Sequence, residues 1–189
     1  MKHPASRELY AYWDKQRGGR SAPERADIEP GAIRQALSDI FMLDTADTAD
    51  GPSFRLAGTR VCALFGRELK GASFLNLWSQ GSRQSIADLL KISADETIGT
   101  VAGVTAENIN GERVDLELLL LPLGVRRPSL CRTIGTLAPL AMPAWIGATP
   151  IGALTLGSRR HVGVTGKARL LPRFMAPRRG LVVHQGGRN

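Results

Sequence analysis

Residues Ser53 to Trp78 read SFRLAGTRVCALFGRELKGASFLNLW, and the order of elements in this stretch decides the fold. Phe54 and Leu56 alternate with other residues, which predicts a short strand with both side chains facing inward. Gly58 ends the strand, and apolar residues then recur at helical spacing as far as Gly66. A second short helix follows. Several small elements around a shallow cavity are typical of a sensing domain rather than an enzyme.

This stretch resembles the first half of a PAS domain, in which a strand leads through short helices that close over a ligand pocket. More narrowly, the chain is similar to the short PAS-like proteins of alphaproteobacteria. The resemblance covers roughly residues 6 to 157 and implies a sensory or interaction module, without supplying a reaction or a ligand. Three further stretches carry it: WDKQRGGRSAPERADIEP (13–30), LELLLLPL (116–123) and IGTLAPLAMPAWIG (134–147).

Patterns in the rest of the chain complete an α+β fold, a PAS-like five-stranded antiparallel sheet flanked by short helices. The pair Asn110-Gly111 is the best hairpin turn signal in the chain, because this dipeptide suits the tight turns that join antiparallel strands. Strands are predicted over 40–45, 53–57, 97–109, 112–123 and 131–140. Helices are predicted over 6–17, 31–37 and 82–93, with Ser6 capping the first.

The distribution of charge divides the chain. Residues 1–157 carry 17 basic and 17 acidic side chains, so the net charge of +8 belongs entirely to residues 158–189. A stretch with one sign of charge and low apolar content is typical of disorder. We therefore predict three parts: an N-terminal helical extension (1–38), a PAS-like domain with a C-terminal apolar segment (39–157), and a basic, disordered tail (158–189).

The residues that would carry chemistry are sparse. All three histidines, His3, His161 and His184, lie in the terminal segments, so the predicted core offers no imidazole as a general base. The sequence contains no closely spaced Cys/His set for zinc and no Gly-rich phosphate loop. We predict that the protein is not an enzyme and holds no metal.

The compartment follows from cysteine usage and hydropathy. Cys62 and Cys131 lie in apolar surroundings, and buried free thiols fit a reducing cytoplasm. The sequence has neither a run of 18 apolar residues nor the apolar stretch of a secretory signal. A cytoplasmic protein is predicted.

The resemblance raises the question of a cofactor. Many haem-binding PAS domains use a proximal histidine, and the predicted core contains none. Flavin photosensors of this class carry their reactive cysteine in an NCRFLQ-like helix later in the fold. Cys62 lies in an earlier helix, in TRVCALFG, without that motif. These observations argue against haem and flavin, and the cofactor is left unknown.

Two interpretations of the apolar residues in the deciding stretch remain open. They could line a ligand cavity, or they could form an ordinary filled core. Arg60 is the most plausible polar group near the cavity mouth, where it could bind an anionic metabolite, or it is an exposed surface arginine. The pocket candidates are Phe54, Leu56, Arg60, Leu64, Phe65, Phe74, Leu77 and Trp78.

Both ends of the chain also have two interpretations. The first helix carries Leu9, Tyr10 and Trp13 on one face, which could pair with a second copy in a homodimer or cover the helix's own sheet. The tail could bind nucleic acid or an anionic surface through phosphate contacts, or it could be a solubilising appendage. Its phosphate-binding candidates are Arg159, Arg160, Lys167, Arg169, Arg173, Arg178 and Arg179.

The function predicted from these patterns is a cytoplasmic sensory or adaptor module of signal transduction, acting through small-ligand binding, protein–protein interaction or both. Its mechanism would be a population shift of the sheet and its flanking helices, with output through dimerisation or a separate protein. The resemblance suggests a signalling kinase or regulator as that protein. The alternative is a nucleic-acid- or anionic-surface-associated protein that binds through the tail.

Overall fold

A computed structural model describes residues 1–44, 51–124 and 131–163, which contain a six-stranded antiparallel sheet with helices on both faces. The α+β class is confirmed, but the sheet has six strands rather than five. Its order is β2-β1-β5-β4-β3-β6. The strands are β1 (Ile40–Asp44), β2 (Ser53–Ala57), β3 (Gly99–Glu107), β4 (Arg113–Pro122), β5 (Cys131–Pro139) and β6 (Thr155–Val162). The helices are α1 (Pro4–Arg17), α2 (Thr59–Leu64) and α3 (Gln80–Glu96).

The two faces of the sheet bury different sets of side chains. In β4, Leu118 and Leu120 belong to one core, and Leu119 and Leu121 belong to the other. Successive side chains of a strand point to opposite faces, so this alternation separates the two cores. The inner face is covered by α2, α3 and the 3₁₀ turn Leu75–Leu77, and the outer face by α1 and the connector that follows it.

Helix α1 begins at Pro4 rather than at Ser6. His3 is the N-cap, and its Nδ1 accepts a hydrogen bond from the Ala5 N–H at 3.2 Å. Proline suits the first helical position because its missing N–H would be unpaired there in any case. Ser6 is fully buried, and its hydroxyl lies 3.0 Å from the Thr136 hydroxyl on β5. The predicted cap is therefore a contact between helix and sheet.

Two 3₁₀ turns, Pro30–Ile33 and Leu37–Asp39, occupy the region where a short helix was predicted over 31–37. The second turn packs closely against Gly58. A Cβ at Gly58 would collide with the backbone carbonyl oxygens of this turn, and the Gly58 N–H donates to the Ile40 carbonyl at 2.7 Å. Glycine is required at position 58 by this close backbone approach.

A β-bulge alters the face on which Leu56 lies. On β1, Met42 and Leu43 are consecutive residues; their pairing partners on β2 are Leu56 and Phe54. Arg55 lies between those partners and has none of its own on β1, so it is the extra residue of the bulge. Phe54 is buried in the inner core, whereas Leu56 is 45% exposed and lies on the Met42 side of the sheet. The prediction that Phe54 and Leu56 both face inward is wrong for Leu56, because period-two alternation does not continue through a bulge.

The turn predicted at Asn110-Gly111 is confirmed. The Asn108 side-chain oxygen accepts the N–H groups of Asn110 and Glu112, at 2.9 and 3.0 Å. Gly111 has a φ of 78°, in the left-handed region that glycine enters without strain. The turn joins β3 to β4.

Strand β6 is the unpredicted sixth strand, and it pairs with β3 at the sheet edge opposite β2. It includes residues 158–162, the first five of the predicted disordered tail. Its exposed, basic side chains lack the apolar alternation from which a strand is recognised. An edge strand needs backbone pairing on one side only, so the missing apolar pattern does not prevent it from forming.

Residues 151–156, here called the clasp, join the helices of the inner face to the sheet. The Leu154 N–H donates to the Leu77 carbonyl at 2.8 Å, and the Leu154 carbonyl accepts from the Ser79 N–H at 2.9 Å. Further bonds run from the Ile151 N–H to the Leu64 carbonyl (2.8 Å) and from the Leu156 N–H to the Ser82 hydroxyl (3.0 Å). The clasp also bonds the sheet directly, because the Gly152 N–H donates to the Glu107 carbonyl on β3 at 2.8 Å.

Glu117 on β4 binds the N-terminal residues of the chain through hydrogen bonds. Its carboxylate is 5% exposed and accepts the backbone N–H groups of Lys2 and His3, at 2.6 and 3.0 Å. Burial raises the pKa of Glu117, but the hydrogen bonds from Lys2 and His3 outweigh it, so the pKa lies below its ordinary value.

A lowered pKa makes this contact pH-dependent. Its stabilisation is complete above the ordinary carboxyl pKa and is lost as the pH falls through the lower pKa of the folded state. We expect Glu117→Gln to lower the free energy of unfolding at pH 7 by about 1–3 kcal/mol, because hydrogen bonds to an ionised acceptor are weakened. The gap between variant and unmodified protein should narrow at acidic pH. Urea unfolding at pH 7 and at lower pH values measures both effects.

Asp115→Asn is the matched control on the same strand. Asp115 is exposed and pairs only with exposed Arg113 in the described contacts, so its substitution should cost less than about 1 kcal/mol. A Glu117→Gln effect no larger than that of the control, or one independent of pH, would contradict the role assigned to Glu117.

Candidate sensory site

Four aromatic rings form the centre of the inner core. The ring centroids of Phe41 and Phe74 are 5.4 Å apart, and Phe54 meets both rings edge-on at 5.8 and 5.5 Å. Trp78 lies edge-on to Phe74 at 5.8 Å. Edge-to-face and offset contacts at these distances are favourable aromatic geometries. We call these four residues the aromatic cluster.

The structure brings most of the predicted pocket residues together around this cluster. Leu64, Phe65 and Leu77 join Phe54, Phe74 and Trp78 in one core, and all six are at most 8% exposed. Many other members of this core, Phe41 and Leu69 among them, were not among the candidates. Phe41 lies in a predicted strand whose inner face could have indicated it; Leu69 stands alone between polar residues and gives no such signal. The side chains pack against one another as a filled core.

One polar atom in the aromatic cluster has no partner among the described residues. The indole Nε1 of Trp78 is buried and makes no hydrogen bond. Buried tryptophan N–H groups usually find an acceptor, and leaving a donor unpaired costs about 1–3 kcal/mol. The inner core therefore contains an unused hydrogen-bond donor among hydrocarbon and aromatic side chains.

Arg60 is held away from this core. Its Nε donates to Asp39 Oδ1 at 2.7 Å, and its Nη2 donates to Asp39 Oδ2 in a short second bond. Asp39 is fully buried, and the hydrogen bond to its carboxylate raises the pKa of Arg60. The ion pair fixes the start of α2 to the 3₁₀ turn Leu37–Asp39, so Arg60 holds two elements together at the position where a ligand-binding group was predicted.

Cys62 is a half-buried free thiol on α2. Burial raises the pKa of Cys62 and so keeps it in the thiol form. The side chain of Cys131 lies outside the described residues.

Leu9 and Trp13 are buried against the chain's own sheet. Both are at most 1% exposed, and the Trp13 indole N–H donates to the Pro122 carbonyl at 2.7 Å. Of the two interpretations of α1, the structure therefore has the helix covering its own outer face. Tyr10 stacks beside Trp13 and is half-buried. Of the three interface candidates, Tyr10 alone retains an accessible surface.

Arg159 and Arg160 lie on β6 and are exposed. The other tail candidates, Lys167, Arg169, Arg173, Arg178 and Arg179, fall outside the described residues. Within 1–44, 51–124 and 131–163, no group of three His, Cys, Asp or Glu side chains could hold a metal ion. No described helix combines the length and apolar character needed to cross a membrane.

Comparison with known proteins identifies the family. A family model described as PAS domain matches residues 1–138, which includes the predicted N-terminal extension. The chain belongs to the PAS domain family, as the sequence resemblance indicated. The class of protein defined by this family is a sensory signalling module. Strand β6 and the clasp lie beyond the matched residues.

Two solved structures align with this chain. The light state of the blue-light photoreceptor Aureochrome1 LOV aligns with 58% of this chain and 87% of its own, at 13% identity and a TM-score of 0.43. The Cys71Ser mutant of Vivid aligns with 69% of this chain and 99% of its own, at 14% identity and a TM-score of 0.43. No curated protein matches the sequence.

The ion pair of Arg60 can be tested by removing one partner. We expect Arg60→Gln to lower the free energy of unfolding by about 1–3 kcal/mol, because buried Asp39 loses its cation; water around half-exposed Arg60 keeps the loss below that of a fully buried pair. Chemical denaturation of the purified variants measures the change.

The double variant Asp39→Asn/Arg60→Gln should regain part of that loss, since no charge is then left buried. Arg67→Gln, at an exposed position nearby, is the control and should change the stability by less than about 0.5 kcal/mol. An Arg60→Gln protein as stable as the unmodified one would show that Asp39 does not depend on this pair.

Proposed function

We propose that this protein is a non-catalytic sensory or adaptor module whose signal is a rearrangement of the inner-face helices over the aromatic cluster. A small ligand or a protein partner would favour the rearranged state, and a second protein, such as a signalling kinase or regulator, would detect it. Membership of the PAS domain family supports a sensory role. The observation that carries the mechanism is the unpartnered, buried indole N–H of Trp78.

The unpaired donor provides an energetic reason for ligand binding. A ligand shifts a conformational equilibrium only as far as it binds one state more tightly than the other. An acceptor atom placed at Trp78 Nε1 would gain a hydrogen bond that the ligand-free core lacks, and this gain exists only in the ligand-bound state. The core is lined mainly by Phe and Leu, and burial raises the pKa of Cys62, which packs against it, and so keeps it a weakly nucleophilic thiol; this supports binding rather than catalysis.

In this mechanism, the clasp is the structural element that adopts two arrangements. Its backbone bonds from Leu154 to Leu77 and Ser79 hold the region of Trp78 closed over the cluster. Because the core is filled, a ligand reaches the indole only if these helices move and the bonds exchange. We propose that this movement changes the surface that a partner or a second copy of the chain recognises.

The role of Trp78 can be tested on protein purified from its natural host. We expect native mass spectrometry to find a bound small molecule on the unmodified protein and on Trp145→Phe, and to find it strongly depleted on Trp78→Phe. Phenylalanine preserves most of the ring but has no N–H. The stability of the ligand-free protein should change by no more than about 1 kcal/mol, since removing an unpaired donor offsets the lost ring area.

Size-exclusion chromatography with light scattering and a pull-down from the host complete this test. A homodimer or a captured signalling partner supports the adaptor form of the proposal even if no ligand is bound. A protein that carries no ligand, does not self-associate and captures no partner would contradict both forms.

A second candidate function rests on the exposed arginines of β6. Arg159 and Arg160 begin the basic stretch of the chain, and clustered arginines release counterions when they bind phosphates.

Under this candidate, nucleic acid binds the full chain with an affinity that falls steeply as salt rises. Truncation after Gly163 should then remove most of the binding, because six of the eight basic residues in 158–189 are lost. Fluorescence anisotropy at two salt concentrations measures this, and salt-independent binding or none would exclude the candidate.

A further inference from the structure

The outer face of the sheet contains a groove of about 420 Å³ that is separate from the aromatic cluster. One wall is the connector after α1, from Arg25 to Ser38, and the other is formed by β1, β2 and Thr59. Its volume lies in the range of small-molecule sites, about 300–1,000 Å³. Most of its surface is apolar, with Ile28, Ile33, Ile40, Met42 and Leu56 among the lining residues.

The β-bulge directs an apolar side chain to this groove. In a regular strand without the bulge, Leu56 would share a face with Phe54 and enter the inner core. With it, Leu56 lies beside Met42, lines the groove, and remains 45% exposed. Bulges commonly re-aim side chains next to binding sites. The groove thus has a large apolar side chain that the ligand-free fold does not cover.

Arg25 is the one titratable side chain among the described residues that line the groove. Its Nη1 donates to the Ile28 carbonyl at 3.3 Å, and its Nε is buried with no hydrogen-bond partner among the described residues. It forms no ion pair with a described carboxylate. A guanidinium without an ion pair is well suited to a carboxylate, because its N–H groups match carboxylate oxygens.

From the apolar walls, the re-aimed Leu56, and Arg25 with no ion pair to a described carboxylate, we propose that this groove binds a small amphipathic carboxylate. The carboxylate would accept from Arg25 at one wall, and the hydrocarbon chain would cover Met42 and Leu56. A single short chain matches the volume better than the two chains of a membrane phospholipid. The groove lies between the sheet and the connector, so an occupant would also change how firmly the connector packs.

Octanoate serves as the probe, observed through amide chemical shifts of the full-length protein. We expect saturable binding with shifts at Met42, Leu56 and Thr59. Octylammonium, with the same chain and the opposite charge, should bind at least about tenfold more weakly. Arg25→Gln should weaken octanoate binding about tenfold, in line with the loss of a charge-assisted hydrogen bond.

Two further variants complete the design. Leu56→Glu places a negative charge in the groove at an exposed position and should weaken binding by at least about tenfold. Arg34→Gln removes an exposed connector arginine outside the groove lining and should leave the affinity unchanged. Amide spectra of each ligand-free variant establish that it is folded, and Arg25→Gln keeps the test valid if Leu56→Glu does not fold.

Several results would overturn the proposal: no saturation with octanoate, equal binding of octylammonium, an Arg25→Gln variant with unchanged affinity, or shifts concentrated on Phe54, Phe74 and Trp78. Binding to phosphatidylglycerol vesicles without binding to octanoate would also overturn it in favour of a lipid surface. Trp78→Phe should not alter octanoate binding, so the groove and the aromatic cluster can fail or succeed independently.

Discussion

The two hydrogen bonds of Leu154 hold the helical side of the molecule against the sheet, and the rest of the inner core depends on them. They engage the backbone on either side of Trp78, at the point where a 3₁₀ turn passes into α3. Buried backbone groups need partners, and here a segment that is distant in sequence supplies them. With the backbone fixed on both sides, the Trp78 ring is placed against Phe74 and is 1% exposed. The clasp therefore fixes the backbone that positions one member of the aromatic cluster.

The two faces of the sheet differ in how they can respond to a ligand. The inner face is filled, so any ligand there must wait for the helices to move, and its rate of binding is set by that movement. The outer face retains a groove because the connector consists of short 3₁₀ turns that do not cover β1 and β2 completely. A ligand there meets a surface that is already formed. If both proposals hold, ligand binding would be slow at the inner face, where helices must move first, and fast at the preformed outer groove.

Local pattern was enough to predict the class of fold, and long-range contacts explain where prediction failed. The alternation in β4 and the Asn110-Gly111 turn depend on neighbouring residues, so they could be recognised from the sequence. Leu56 could not be placed, because the bulge arises from the pairing of β2 with β1. Strand β6 was missed because Leu156 and Val162 are its only apolar residues, which leaves no alternating pattern. The role of Arg60 depends on buried Asp39, 21 residues earlier, and Arg25 gave no signal beyond its charge.

The clasp is also among the last described parts of the fold to leave the ribosome. Leu156 and its partner Ser82 are 74 residues apart, which corresponds to about 4–15 seconds of synthesis at ~5–20 residues per second. During that interval β1, β2, Phe74 and Trp78 have been synthesised, whereas the clasp that bonds the backbone beside Trp78 has not. Under the proposed mechanism, a small molecule that meets the nascent chain would be enclosed as the clasp folds, whereas one that arrives later would have to displace a finished structure. Occupancy of the inner core would then record the conditions at the time of synthesis.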